Sequence, residues 1–202
     1  MTNLTRRNFI LGSLGVASLF TVGSLSGCSG SVAWYQLDKF ISQDPSAIVK
    51  ELEDNQGFEY ELEAEELGEE DDRYEWQGVP KDEIVGDTSY SLYFLGTDNE
   101  VLSKDALLNG EQIEGARVHF VCDAYDTKSA QSTTSNIIEK CGFSNVEVEG
   151  DNGVGYLAAG RCSINGQDAY WMIVLWTEID MGRIEVHLDN DGMLEWAKEE
   201  FG

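Results

Sequence analysis

Four glutamates at alternate positions, Glu59, Glu61, Glu63 and Glu65, are the densest run of one chemistry in the chain. On an extended strand they share one face, with Phe58, Tyr60, Leu62 and Ala64 on the other. Neighbours on that face stand about 6.7 Å apart. Calcium binds oxygens at about 2.4 Å, so two such side chains do not share one ion without a facing strand. The row reads as a solvated acidic face and as the candidate surface for a cationic partner.

The other residues capable of chemistry are not assembled by spacing. His119 and Asp123 share a strand face about 13 Å apart, and His187 and Glu185 about 6.7 Å apart. Neither pair has a nucleophile beside it, so both histidines read as sheet-surface residues and no catalytic residue is assigned. Aligning Asp189-Asn190-Asp191-Gly192 as a calcium loop places His187 at the first ligand position and Lys198 where a glutamate belongs. The stretch therefore reads as a turn capping the last helix. Cys122, Cys141 and Cys162 contain no Cys-x-x-Cys spacing. All three project to apolar faces, as inert thiols or with one bridge from Cys141 to Cys122 or Cys162. No Gly-x-Ser-x-Gly, Ser-x-x-Lys or phosphate-binding glycine loop occurs, and neither metal nor cofactor is expected.

The surrounding pattern predicts the elements that must position these groups. Leu37, Phe40 and Ile41 have helical spacing, and Asp44-Pro45 starts a second helix over 45–55 that Gly57 stops. Strands are predicted over 58–65, 73–78, 88–95 and 116–125, with one helical turn at 103–108. A helix over 128–140 precedes strands at 146–149, 156–164, 168–177 and 184–188, and a last helix starts near 191. Asn165-Gly166 is a hairpin turn. Residues 170–176 (Tyr-Trp-Met-Ile-Val-Leu-Trp) are apolar on both faces, as a central strand requires. The expected class is α+β: an antiparallel sheet with helices packed on one face, in two helix-plus-four-strand halves at 32–126 and 127–202.

Thirteen basic against 38 acidic side chains give a formal charge of −25. That charge repels phosphate backbones and anionic lipid, which excludes nucleic acid as a partner and favours a basic protein or cell-envelope component.

The N-terminus carries two motifs. Leu25-Ser26-Gly27-Cys28 resembles the lipobox of bacterial lipoproteins, which implies cleavage before Cys28, diacylglycerol on its thiol with further acylation such as palmitate, and a chain tethered to a membrane. Thr5-Arg6-Arg7-Asn8-Phe9-Ile10 resembles the twin-arginine export motif at Arg6, Arg7, Phe9 and Ile10. Leu11 departs from the lysine that often follows. The apolar run over 9–24, interrupted by Gly12, Ser13, Gly15 and Ser18, is short of the roughly 20 residues a spanning helix needs. These resemblances imply a signal peptide over 1–27, a lipidated tether over 28–31 and an extracytoplasmic domain over 32–202. Removing Arg6 and Arg7 with the leader makes that domain two charges more negative still. Each half reads as a helix, a Gly-Phe pair (Gly57-Phe58, Gly142-Phe143) and glutamate-alternating strands. In outline this is similar to the beta-lactamase inhibitor protein fold and to small helix-then-sheet lipoproteins of outer-membrane assembly. No functional residue is carried over from that outline. The functional expectation is a lipid-anchored binding protein; the alternatives are an inhibitor of a secreted enzyme and an envelope enzyme whose site is assembled from distant residues.

Overall fold

The computed structural model describes residues 32–64, 72–80, 82–85, 88–122 and 126–202. Arg6, Arg7, Cys28, Glu65 and Asp123 lie outside the described residues. Among the described residues the order is α1 (Leu37–Phe40), α2 (Pro45–Glu51), β1 (Phe58–Ala64), β2 (Asp72–Gly78), β3 (Tyr90–Leu95), α3 (Lys104–Leu108) and β4 (Gly115–Val121). Then follow α4 (Thr127–Cys141), β5 (Val146–Asp151), β6 (Gly155–Ile164), β7 (Gln167–Trp176), β8 (Met181–Leu188) and α5 (Asp191–Phe201). The chain is α+β with an antiparallel sheet, as its patterning predicts.

Local chemistry sets the boundaries. The Asp44 carboxylate accepts from the Ser46 and Ala47 amides at 3.0 and 3.3 Å, and Pro45 occupies the first helical turn without wasting a donor. A π-helical turn, Leu52–Gln56, extends α2 to Gly57, whose φ of 82° ends it. Gly142 ends α4 in the same left-handed conformation. Asp126 and Ser129 form a reciprocal capping box at the start of α4. The last helix behaves otherwise: its N-cap is Asn190, and no side chain bonds to the first-turn amides. The acidic stretch before it is therefore a turn but not a side-chain cap.

The eight strands run in the order β1-β2-β3-β4-β8-β7-β6-β5, all neighbours antiparallel. Two meanders, β1 to β4 and β5 to β8, thus meet along one seam, where β4 pairs with β8 from Gly115–His187 to Val121–Met181. In register across six strands, Trp76, Leu92, Val118, Ile184, Ile173 and Ala158 lie on one buried row. Trp34, Leu37, Phe40, Ile48, Leu52, Ile137 and Cys141 cover that face from the helical side.

One helix departs from the expectation of helices on a single face. On α5, Met193, Leu194 and Ala197 pack against Val148, Leu157, Ala159, Met172 and Val174, a second core on the opposite side of the sheet. The reason lies in β6 and β7. Their apolar residues point both ways, and leaving the second set in water would forfeit about 1.5–3 kcal/mol for each large side chain.

Candidate binding face

Strand β1 ends the sheet, with β2 as its neighbour on one side. Glu59 and Glu61 are exposed on it, opposite Gln77 and Glu75. Glu63 pairs with Arg73 along the backbone. Glu59 and Glu61 are therefore brought to a sheet edge, and the acidic chemistry continues onto β2. There Glu75 is 2 % exposed and accepts hydrogen bonds from Gln77 Nε2 and the Tyr93 hydroxyl.

Beyond Tyr93 the same face is a polar ladder that strand-by-strand reading did not assemble. Arg117 on β4 is the register partner of Tyr93 on one side and of Glu185 on the other. Its Nε and Nη2 donate to the two oxygens of Glu185 at 3.1 and 3.0 Å, and Glu185 is 5 % exposed. Arg183, two residues along β8, stands 3.6 Å from Glu185 and lies over the Trp176 ring. Adjacent strands each carried an alternating polar position (Arg117, His119; Arg183, Glu185, His187). That was the available signal, but it acquires meaning only once β4 is known to pair with β8.

The two histidines are less exposed than expected of sheet-surface residues. His187 is 5 % exposed; its Nδ1–H donates to the Leu188 carbonyl at 2.8 Å, which leaves Nε2 buried without a hydrogen-bond partner. His119 lies 5.3 Å from the Tyr93 ring. Burial first, then Arg117 and Arg183, push its imidazole down to about 4 against the opposing pull of Glu185 and Glu75. An unfolded histidine titrates near 6.5, so between about 6.5 and 4 the unfolded chain binds the extra proton and the native state loses ground. His119→Gln removes that cost. The wild-type stability is therefore expected to fall relative to the variant as pH drops from about 6.5 to about 4, with the difference constant on either side of that window. Denaturant unfolding at stepped pH reads this directly, and a constant difference throughout would contradict it.

Cys122, Cys141 and Cys162 form no disulfide with one another, so of the two readings, thiols or one bridge from Cys141, the bridge is not present. Burial raises both Cys141 and Cys162, Asp38 adding to the effect, and Cys162 reaches about 11. Neither suits a thiolate nucleophile. Among the described residues, cavities border the helical layer. One of about 300 Å³ is lined by Gln43, Gln112, Ile164 and Asn165 among others, and one of about 360 Å³ by Asp38, Phe143, Arg161 and Cys162. Neither contains a histidine. Among the described residues no group of three or more His, Cys, Asp or Glu is placed to hold a metal ion. Among the same residues no helix is long and apolar enough to cross a membrane.

Compared with protein-family models, curated proteins and solved structures, the chain finds no match in any of the three.

Proposed function

We propose that this chain is a lipid-anchored, extracytoplasmic binding protein, held through Cys28 after twin-arginine export and engaging a basic protein or envelope component through residues 59–72. The observation that carries the reading is the position of β1. Glu59 and Glu61 are exposed on a strand at the end of the sheet, beside the acidic stretch Glu65-Glu66-Leu67-Gly68-Glu69-Glu70-Asp71-Asp72. An edge strand presents unpaired backbone donors and acceptors. A basic extended segment could thus add as a further strand while its lysines or arginines meet the carboxylates. Charge at an exposed rim sets encounter rate and salt dependence more than final affinity, which suits a partner captured at a membrane surface.

The test combines anchor and surface. Cys28→Ala is expected to move the protein out of the detergent phase on phase separation; unchanged partition removes the lipid anchor. Binding of a lysine-rich extended peptide, followed by fluorescence anisotropy, is expected to weaken at least about tenfold when Glu59, Glu61, Glu63 and Glu65 become glutamine, a difference of about 1.4 kcal/mol. Substituting Glu100, Glu111, Glu199 and Glu200 by glutamine, all exposed away from β1, serves as the control for the same loss of four charges. Binding that ignores salt, or that falls equally in the control, rejects the surface.

A further inference from the structure

Four of the seven large apolar side chains left exposed among the described residues lie beyond one end of the sheet. The row Phe58, Gly78, Tyr90, Phe120, Gly182, Leu175, Tyr156 and Asp151 is in register across all eight strands. Just past it come Val79 after β2, Val121 closing β4, Val154 before β6 and Ile179 in the turn before β8. They are 61, 56, 46 and 60 % exposed. From β2 to β6 the line spans five strand spacings, about 24 Å. A single exposed valine is ordinary, but apolar tips gathered at one end mark a contact.

The same end holds the root of the chain. Trp34 is completely buried there, with its ring 5.3 Å from Phe58 and 4.8 Å from Tyr90. Its Nε1–H donates to the Asp82 carbonyl at 2.9 Å, and Val32 packs against the same core. With the lipid on Cys28, only residues 29–31 separate it from Val32, at most about 14 Å of extended chain. The headgroup layer of one leaflet is itself about 5–8 Å deep. A domain rooted so closely presents this end to the bilayer.

We propose that Val79, Val121, Val154 and Ile179 rest in the headgroup layer of the membrane, so that the strands stand upright on a zwitterionic lipid surface. The inference rests on the lipid anchor proposed above. Apolar area buried at the headgroup boundary adds to the hold of the acyl chains. The neighbours set the lipid chemistry: Glu178 and Asp180 flank Ile179, and Asp82 and Glu83 follow soon after Val79. These carboxylates are repelled by an anionic leaflet and tolerated at a zwitterionic one. Upright strands also leave the β1 edge, with Glu59 and Glu61, facing sideways for its partner.

The processed full chain, extracted from membranes and reconstituted at one copy per phosphatidylcholine nanodisc, tests this with a gadolinium-labelled lipid headgroup. Methyl resonances of Val79, Val121, Val154 and Ile179 are expected to broaden strongly. Those of Leu108, 49 % exposed at the end of α3 and toward the opposite end of the sheet, are expected to stay sharp. Val121→Ser combined with Ile179→Ser is expected to bring the broadening at Val79 and Val154 down to that of Leu108 while the remaining spectrum stays native. Broadening that survives this double substitution would overturn the apolar contact. Equal broadening at all five residues of an acylated chain would overturn the orientation and leave the anchor standing. Mass spectrometry that finds no acyl chain on Cys28 would reject the anchor, and the orientation with it. Shifts of the four residues with protein concentration in lipid-free detergent would assign this end to a second copy and overturn the lipid contact.

Discussion

Trp171→Ala is expected to lower the unfolding free energy by about 4 kcal/mol, the largest loss from any single truncation proposed for this chain. Trp171 is completely buried on β7, its ring stacks on Phe143 at 4.8 Å with 8° between planes, and its Nε1–H donates to the Ser144 carbonyl at 3.1 Å. Phe143 and Ser144 belong to the connection from α4 to β5, so the ring joins helix, loop and central strand. Opposite it stands Gly160, where a Cβ would meet Trp171 Cζ2 at 2.8 Å and the Asn145 carbonyl at 2.1 Å. The backbone has drawn close around the indole, and a cavity left there collapses poorly. Trp171→Phe keeps the stacking and loses the hydrogen bond, at an expected cost of roughly 1–2 kcal/mol. Denaturant midpoints at constant m-value decide between them. A loss of less than about 1 kcal/mol for the alanine variant would mean that Trp171 does not join these elements.

Glu185→Ala is expected to cost about 2–3 kcal/mol. Breaking a buried ion pair costs about 3–5 kcal/mol because the remaining charge is stranded. Arg117 keeps 27 % of its side-chain surface in contact with water, which places the expectation below that range. Arg183 loses its nearest carboxylate in the same variant, leaving two guanidinium groups on one face without it. Replacing both partners with Arg117→Met and Glu185→Leu is expected to recover most of the loss, since well-packed apolar pairs often match buried ion pairs. A double-mutant cycle measures the coupling. Additive losses would show that Arg117 and Glu185 stabilise the seam independently.

Those two sites differ in how far they can be read in advance. The apolar run around Trp171 is visible in residues 170–176, and its burial on both faces follows from composition alone. Caps and stops were equally legible: Asp44-Pro45, Gly57 and Gly142 act within a few residues of themselves. The Asn165-Gly166 hairpin is likewise local. Glu185 and Arg117 are 68 positions apart, and no periodicity links them. Glu75 and His187 each occupy an alternating strand position that reads as solvent-facing, yet both are buried. The alternation was correct, but it states only which residues share a face and not what lies beside that face.

What the chain by itself determined is therefore its class, its elements and the shared exposed face of Glu59 and Glu61, because these rest on steric preferences and on periods of two and 3.6 residues. The tertiary structure alone decided that β4 and β8 form the seam, that α5 crosses to the far side, and that Arg117 and Arg183 both meet Glu185. Those outcomes depend on which surfaces meet across long loops. The free energy of such meetings belongs to the pair and is carried by neither segment alone.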